Sequence, residues 1–336
     1  MSGASRPTAE NRHMADRVEL GLSLFRTMVR IREFEDHARI GYDGGEIPGV
    51  VHLSIGQEAV AAGVCANLER EDYVASTHRG HGHCIAKGAE TSAMMAELFG
   101  KSTGTNKGKG GSMHIADFSV GMLGANGVVG GGIGIAVGAA QASRLLGKKN
   151  VSVCFFGDGA VNRGPFLEGL NWAAVFKLPV LFVCEDNAFS AFTRASTTTA
   201  GKGASARAEA IGVEARAVDG NDVFAVYDAA RELLANMRAG RGPGFLYAPT
   251  YRLDGHTVFD KAPYRSSEEL ERKREQDPVS EIESRLREWG VPQAQVDAVH
   301  VEARDEMVRA MESARRAPLP TEADAFLDVQ NIGAPA

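Results

Sequence analysis

The chain has 336 residues, of which 44% are hydrophobic, and it carries a formal net charge of -6 at pH 7. This length and composition support a substantial buried core and exclude a disordered or fibrous protein. Because the acidic balance creates no broad positive field, it argues against DNA or RNA as a partner, and any anion must bind at a local site.

The cysteines and the apolar stretches indicate in which cellular compartment the protein resides. Four cysteines lie far apart and form no CxxC pair, so we expect free, buried thiols in a reducing environment. We recognise no secretory or transit signal, and no stretch approaches the roughly 18 apolar residues of a membrane span. These features predict a cytoplasmic protein that has no membrane partner.

The first elements in chain order are a polar segment, a helix and a loop. Residues 1–17 are predicted to form a flexible N-terminal segment, and residues 18–330 a single domain. Apolar residues then recur at spacings of three and four, which predicts an amphipathic helix: Leu20, Leu24, Met28, Ile31 and Phe34. The glycine-rich stretch 101–111 (KSTGTNKGKGG) is typical of a flexible loop.

The clearest pattern lies at 151–187. An apolar run at 151–156, a Gly-Asp-Gly turn, a helix at 165–176 and a second apolar run at 179–184 predict a βαβ unit with parallel strands. A strand near residue 215, a helix at 223–238 and a strand at 245–251 extend the same sheet. We therefore predict an α/β fold with a doubly wound, mostly parallel sheet.

The region after about residue 266 is predicted to add C-terminal helices. Ser266 with Glu269 forms a capping-box pattern, Asp277 precedes a proline that begins a further helix, and Gly290 ends it. The last helix has one apolar face, which is formed by Val296, Val299, Ala303, Met307 and Met311. We expect these helices to pack on the sheet or on another subunit.

Polar residues follow both strands of the βαβ unit. In an open parallel sheet ligands bind outside the carboxyl ends of the strands, so Asp158 and Asn187 are expected within reach of one ion. The glycines beside Asp158 and the N-terminus of the next helix favour an anion. A helix dipole contributes only about 0.3–1 kcal/mol at an exposed site, so a diphosphate would also need a cation.

The ligand types expected at this edge of the sheet suit Mg²⁺. A carboxylate, an amide and a main-chain carbonyl, expected from Phe189, are oxygen ligands of the kind that Mg²⁺ prefers. The alternative is an ordinary tight turn at Gly-Asp-Gly and an ordinary loop at residues 186–187. Because each polar cluster follows a strand, the pairing favours a metal and diphosphate site.

Two other patterns suggest different sites. His78, His81 and His83 could suggest zinc, but no cysteine or acidic partner has the usual spacing. The run 130–138 (GGGIGIAVG) is similar to a dinucleotide motif, yet we identify no preceding strand and no following acidic ribose partner. We interpret this run as a closely packed helix beside the cofactor, and we regard a nicotinamide-dependent oxidoreductase as excluded.

The βαβ motif belongs to a longer set of matching stretches. GDGAVN, with residues 160–186 separating Gly159 from Asn187, resembles the thiamine diphosphate motif. Further stretches span roughly residues 20–280 in order: HLSIGQEA (52–59), THRGHGH (77–83), KGKGGSMH (107–114), GANGVVG (124–130), NWAAVFKLPVLFVCEDN (171–187), VDGND (218–222) and YRLDGHT (251–257). The chain resembles the alpha subunit of the thiamine-dependent first component of 2-oxo acid dehydrogenase complexes.

The resemblance implies thiamine diphosphate and Mg²⁺ as cofactors. Residue by residue, it implies that Asp158, Asn187 and the carbonyl of Phe189 bind Mg²⁺. Gly159 and Ala160 would then lie at the diphosphate.

The resemblance also assigns the rest of the cofactor site. His78 and Arg79 match the pair that contacts the diphosphate, and Gly127 and Val129 match the segment that lines the thiamine.

Two further histidines, His52 and His256, match the active-site histidines of the family. Independently of any family, histidine is the side chain best suited to exchange protons near neutral pH. The resemblance implies that His256 assists transfer of the acyl group to lipoamide and that His52 steadies the substrate.

The chain departs from the family pattern at a few positions. Asp186 stands where asparagine is usual, and Ala188 and Phe189 replace Gly-Tyr, a change that a main-chain carbonyl ligand tolerates. Asp254 stands where some relatives have histidine. Thr257 occupies the place of a regulatory serine in mitochondrial members, so the sequence gives no support for kinase control there.

The resemblance implies an enzyme that is active only in an assembly. We expect a heterotetramer of two alpha and two beta chains, which acts with a lipoyl-bearing acyltransferase on a small-molecule substrate. The substrate is acetoin or a 2-oxo acid such as pyruvate, and a branched-chain 2-oxo acid is an alternative. A non-catalytic paralogue is a further alternative, against which the intact site residues argue.

Overall fold

The structure, a computed structural model, describes residues 9–327, with side chains from residue 14 onward. The helices are α1 (Ala9–Asp43), α2 (Glu58–Cys65), α3 (His81–Ala86), α4 (Thr91–Leu98), α5 (Gly131–Leu145), α6 (Gly164–Val175), α7 (Gly203–Ala210), α8 (Val223–Arg238), α9 (Ser267–Arg274), α10 (Pro278–Glu288) and α11 (Gln293–Arg316). The strands are β1 (Tyr73–Ala75), β2 (Met122–Gly124), β3 (Ser152–Gly157), β4 (Val180–Asp186), β5 (Phe189–Ser190), β6 (Thr193–Arg194), β7 (Glu214–Ala217) and β8 (Gly244–Pro249).

Six of these strands form one sheet in the order β2-β1-β3-β4-β8-β7, and every neighbouring pair is parallel. The predicted βαβ unit is β3, α6 and β4, whose strands are adjacent and pair from Ser152 with Val180 to Gly157 with Glu185. The predicted α/β fold with a parallel sheet is confirmed.

Both faces of the sheet are covered by helices. Along β3, Val153 and Phe155 belong to one apolar cluster, whereas Cys154 and Phe156 belong to another. This alternation follows from the two-residue period of a strand. Helices α2 and α8 contribute to the first cluster, and α5, α6 and α7 to the second, so the sheet is doubly wound as predicted.

The N-terminal prediction was partly wrong. Helix α1 begins at Ala9, so residues 9–17 are helical instead of forming a flexible segment, while residues 1–8 lie outside the described part of the chain. Residues 9–19 contain no glycine or proline and include several good helix formers, which lets the helix extend beyond its apolar face. The boundaries of the single domain stay a prediction.

The C-terminal helices have the predicted caps, but the Glu269 carboxylate does not complete the capping box because it bonds Arg194 and Tyr251. As far as the structure describes the chain, α11 packs on other helices and not on the sheet. The Ser266 hydroxyl accepts a hydrogen bond from the Glu269 amide at 3.2 Å, Asp277 caps α10, and Gly290 follows α10 with a φ of 86°. Helix α11 buries the predicted apolar face and packs on α1 and α4. Among residues 9–327, no helix combines the length and apolar character needed to cross a bilayer.

Two further predictions concern cysteines and a glycine run. All four cysteines are free and buried, as expected. The run 130–138 forms the start of α5, as expected, although the short strand β2 does precede it. A Cβ on Gly132 would lie 3.3 Å from the Ser76 carbonyl oxygen, and one on Gly169 would lie 2.4 Å from Ile133 Cγ2. Glycine therefore permits close packing of α5 against the sheet and α6.

The loop 101–111 has no helix or strand, but it is firmly held. The buried Glu97 carboxylate accepts backbone hydrogen bonds from Asn106, Gly108, Gly110 and Gly111 at 2.7–3.1 Å. The prediction of a flexible loop was wrong because this carboxylate satisfies four amides that composition alone leaves without partners.

Candidate active site

A cavity of about 260 Å³ lies at the carboxyl ends of β1, β3 and β4. Every residue that the sequence proposed for the site lines this cavity: His52, His78, Arg79, Gly127, Val129, Asp158, Gly159, Ala160, Asn187, Phe189 and His256. The sheet thus brings together residues that lie up to 204 positions apart in the sequence. Their individual roles stay predictions.

Asp158 and Asn187 form a polar corner at the ends of β3 and β4. Both side chains are buried, and Asp158 Oδ2 has no hydrogen-bond partner within the described part of the chain. The Asn187 amide donates to Gln57 Oε1 at 3.0 Å, and its Oδ1 accepts from the Phe189 amide at 3.3 Å. A buried carboxylate oxygen without a partner fits a cation ligand, because burying it unpaired is costly.

The electrostatics of this corner also suit a cation. Burial, and then the charge of Asp186, raises the pKa of Asp158 to about 7. Asp186 itself accepts hydrogen bonds from the Ala188 amide at 3.0 Å and from the Tyr247 hydroxyl at 2.6 Å. Two carboxylates close together in a buried place repel each other, and a divalent cation would relieve that repulsion.

Gly159 is required by the hairpin that β5 and β6 form. A Cβ at this position would lie 2.3 Å from Ser190 Oγ and 3.2 Å from Ser190 Cβ. The turn after β3 and the hairpin therefore touch directly, and only glycine leaves room for the Ser190 side chain.

Three imidazoles that line the cavity lie close together. The ring centroids of His52 and His78 are 4.7 Å apart, those of His52 and His256 are 5.0 Å apart, and those of His78 and His256 are 5.7 Å apart. Within the described residues, His52 Nδ1 and His78 Nε2 have no hydrogen-bond partner. These two ring nitrogens remain available to a ligand.

All three imidazoles are neutral at physiological pH. Burial, and then the charge of Arg79, lowers the pKa of His52 to about 3, that of His78 to about 2 and that of His256 to about 4. Each neutral ring carries one N–H donor and one acceptor nitrogen, so it can give or take a proton.

Arg79 ties this histidine cluster to the surrounding loops. Its guanidinium donates to the Leu53 carbonyl at 2.6 Å and to the His256 carbonyl at 2.7 Å, and it lies 3.2 Å from His256 Nδ1. Burial, and then the charge of Arg252, lowers its pKa to about 9, so it stays cationic at neutral pH. A buried cation in this cavity suits an anionic ligand.

Two further lining residues were missed by the sequence reasoning. Arg252 is almost fully buried and donates to the Ala191 carbonyl at 3.0 Å and to the Tyr264 hydroxyl at 2.8 Å. Gln57 orients Asn187. Both lie inside stretches that carried the family resemblance, YRLDGHT and HLSIGQEA, which is the signal that could have found them.

The zinc alternative from the sequence finds no support. His81 Nδ1 pairs with Glu35 at 2.8 Å, whereas His83 Nε2 lies 3.2 Å from Glu185. His78 instead faces His52 and His256. The three histidines of the THRGHGH stretch thus serve different contacts.

One side of the cavity is open. Gly127, Val128 and Val129 line the cavity and are all exposed, with Val128 66% and Val129 49% accessible. Small-molecule sites usually bury most of their ligand in pockets of roughly 300–1,000 Å³. A cavity of about 260 Å³ lies just below the small end of this range, and its exposed apolar lining leaves it open to solvent on this side.

The fold and the cavity together define an α/β protein with a polar cavity at the carboxyl ends of its parallel strands. The model of the dehydrogenase E1 component family matches residues 26–323, and the chain belongs to this family.

Curated relatives agree with this assignment. The chain is 49% identical over 269 residues to the alpha subunit of acetoin:2,6-dichlorophenolindophenol oxidoreductase of Bacillus subtilis (strain 168), which covers 80% of this chain and 81% of that one. It is 43% identical over 310 residues to the protein of the same name from Cupriavidus necator, covering 92% and 93%. It is 38% identical over 310 residues to the alpha subunit of the pyruvate dehydrogenase E1 component of Rhizobium meliloti, covering 92% and 89%.

Proposed function

We propose that this chain is the alpha subunit of a thiamine diphosphate-dependent dehydrogenase. It acts on acetoin or on a 2-oxo acid such as pyruvate and passes the acyl group to lipoamide. The observation that carries the proposal is the unpaired Asp158 Oδ2, in a cavity that Asn187 and the neutral histidines also line.

The residues present fit the two cofactors. Asp158, Asn187 and the main-chain carbonyl of Phe189 would hold Mg²⁺, and Gly159 and Ala160, which line the cavity in the turn after β3, would lie at the diphosphate. His78 and Arg79 offer N–H groups to the same diphosphate, and Gly127 and Val129 would lie along the thiamine. When bound, thiamine diphosphate would supply the electron sink that stabilises the carbanion formed at the carbonyl carbon of the substrate.

The chain's own contribution to the chemistry is proton transfer and positioning. Because its pKa is near 4, His256 is a neutral imidazole that can exchange a proton with the lipoyl sulfur during acyl transfer. His52 lies beside it and presents an unpartnered Nδ1, which would hydrogen-bond the substrate oxygen.

A beta chain would complete the open side of the cavity. Besides Val128 and Val129, several apolar residues are exposed on α5 and α6, two helices that pack against each other. We define the α5–α6 patch by its residues Ile135, Leu145, Leu167, Trp172 and Val175. Contiguous exposed apolar surface marks an interaction site, and the relatives are named as alpha subunits. We propose that a beta chain covers this patch, in a heterotetramer of two alpha and two beta chains that works with a lipoyl-bearing acyltransferase in the cytoplasm.

Reconstitution with a beta chain tests the proposal. The alpha chain alone should not turn over substrate, and the pair should reduce ferricyanide in the presence of thiamine diphosphate and Mg²⁺. A panel of acetoin, pyruvate and branched-chain 2-oxo acids then identifies the substrate, for which the relatives favour acetoin or pyruvate. Strong turnover by the alpha chain without any beta chain would contradict the proposal.

Asp158→Asn tests the metal site. The change removes the charge that attracts the cation while keeping the shape of the side chain, so we expect Mn²⁺ affinity in the presence of thiamine diphosphate to fall by at least about tenfold. Electron paramagnetic resonance of bound Mn²⁺ measures this directly. The matched control is Asp117→Asn, at a carboxylate that caps a short turn away from the cavity. Equal Mn²⁺ binding by both variants would refute the metal assignment.

A further inference from the structure

The hairpin of β5 and β6 carries an exposed phenylalanine at its tip. Phe192 is 58% accessible, yet its ring is not free: its centroid lies 5.4 Å from that of His256 with an interplanar angle of 77°, and 5.5 Å from that of Tyr264. An edge-to-face arrangement at this separation is an attractive aromatic contact. Phe192 therefore packs edge-to-face on His256 while remaining largely exposed itself.

The hairpin is fixed in a way that presents this ring. The preceding residue, Ala191, has a φ of 52°, in the left-handed region, and its carbonyl accepts a hydrogen bond from the buried Arg252 at 3.0 Å. On the other strand, Arg194 forms an ion pair with Glu269 and lies over the Phe189 ring at 4.9 Å. A strained backbone that is held by a buried cation indicates a position that the fold specifies.

The groups around His256 determine whether its imidazole is protonated, and so does its access to water. The pKa of His256 is lowered to about 4, chiefly by burial, although the imidazole is only half-buried. The charged and titratable groups that face it are Arg79, Arg252, Asp260, His52 and His78. Asp260, which accepts the His256 amide at 2.7 Å, acts in the opposite direction and favours the protonated ring.

We propose that Phe192 is a positioning residue for His256: its ring holds the imidazole in one orientation and shields it from water. The shield keeps His256 neutral and able to accept a proton in mildly acidic as well as neutral solution. This inference rests on the proposed function only in that His256 is assigned to acyl transfer.

The test compares three variants of the full-length chain, alone and assembled with a beta chain: Phe192→Ala, Phe192→Leu and Phe259→Ala. Phe259 is the matched control, because it is equally exposed at 61%, lies three positions from His256 and packs its ring on Tyr42. The pKa of His256 is measured by hydrogen–deuterium exchange at its C2 carbon with mass spectrometry. Residues 252–265 contain no other histidine, so the signal is assigned without ambiguity.

In Phe192→Ala we expect the pKa of His256 to rise by about one unit or more towards 6.5, because water reaches the ring. Leucine keeps an apolar cover and should restore most of the wild-type value, while Phe259→Ala should leave it unchanged. In the assembled enzyme, the pH profile of the rate with a lipoylated acceptor should shift in Phe192→Ala in step with the pKa of His256, while the pH profile of the ferricyanide rate should not shift.

An unchanged pKa of His256 in Phe192→Ala would overturn the proposal, and so would an equal rise in Phe259→Ala. The pKa measurement needs no turnover. A wild-type assembly that fails to reduce ferricyanide with any substrate would therefore count against the proposed function, while the comparison of pKa values would still decide the role of Phe192.

Discussion

Gly159 lies where the turn after β3 meets the tip of the β5–β6 hairpin, and its missing side chain has a measurable role. In Gly159→Ala the new methyl group would overlap the Ser190 side chain, whose Oγ lies 2.3 Å from the Cβ position. Overpacking of this kind costs about 1–3 kcal/mol. We expect cofactor affinity in the assembled enzyme to fall by at least about tenfold, measured by calorimetric titration with thiamine diphosphate and Mg²⁺.

A second substitution makes this prediction specific. Gly159→Ala combined with Ser190→Gly removes the overlapping hydroxymethyl group, so it should recover most of the affinity. If the double variant binds as weakly as the single one, the contact with Ser190 is not the cause.

His78 gives a prediction about pH. Its pKa is lowered to about 2 in the folded chain, mainly by burial, whereas an unfolded histidine titrates near 6.5. As pH falls below about 6.5, the imidazole is protonated in the unfolded state but stays neutral in the folded state, so the free energy of unfolding decreases. Asp158 acts oppositely: with its pKa raised to about 7, it favours the folded state as pH falls.

A comparison of variants isolates the histidine from the carboxyl group. Between pH 7 and pH 5 the wild type should lose more unfolding free energy than His78→Asn. The difference between the two losses should not exceed about 1.4 kcal/mol per pH unit, which is the limit for one proton. Urea titrations at each pH provide the measurement, with His114→Asn at an exposed position as the control. Parallel pH profiles for wild type and His78→Asn would rule out this contribution.

For single residues, the sequence predicted the site residues that directly follow strands. It missed residues that enter the cavity from segments whose path depends on the folded structure. Asp158 and Asn187 could be paired because a βαβ unit fixes where its strand ends lie. The place of Arg252 in the site could not be predicted in this way, because its contacts with Ala191 and Tyr264 depend on how the segment after β8 folds back. Spacing along the chain carries no information about such a fold-back.

Among the elements, α4 and the loop after it are joined by a single buried side chain. Glu97 is fully buried, and its two carboxylate oxygens accept four backbone amides of the loop 101–111. In Glu97→Gln one oxygen becomes an NH₂ group that faces amide donors. Hydrogen bonds to a charged group contribute about 1.5–3 kcal/mol each, so we expect a loss of at least roughly 2 kcal/mol of unfolding free energy.

Amide hydrogen exchange checks the same prediction locally. Protection of the amides of Asn106, Gly108, Gly110 and Gly111 should decrease in Glu97→Gln. The control is Glu90→Gln, an exposed glutamate at the start of the same helix. Unchanged protection of the loop in Glu97→Gln would show that the carboxylate does not hold it.

Helices with recognisable caps were predicted closely from the sequence. The ion pairs that join these helices to residues far away in the chain were not. The Asp277 cap that begins α10 was visible in the sequence, and so was the end of this helix at Gly290. Its partner Arg32, which bridges Asp277 at 2.8 Å and Glu58 at 2.5 Å, lies 245 positions before Asp277. The pairing of these charges joins α1, α2 and α10, and it arises only when the helices pack.

For the whole molecule, the α5–α6 patch is a surface whose apolar side chains the single chain leaves exposed. Trp172 is 51% accessible and its indole N–H donates to Gln141 at 3.4 Å, which links the two helices. Val175 and Leu145 are 66% and 78% accessible. Val128 and Val129, which line the cavity and are exposed, precede α5 directly in the chain, so one partner could cover both the mouth of the cavity and the patch.

Val175→Glu tests whether this patch is the surface that the beta chain covers. A glutamate at a 66% accessible position is solvated in the free alpha chain, so its unfolding free energy should change by less than about 0.5 kcal/mol. In a closed interface the same carboxylate would be buried without a partner, at a cost of several kcal/mol, and assembly should be lost. Light scattering after size-exclusion chromatography with the beta chain measures this, with Val301→Glu on α11, 57% accessible, as the matched control. If Val175→Glu assembles as well as Val301→Glu, a different surface of the chain binds the beta subunit, and the open side of the cavity must be closed from another direction.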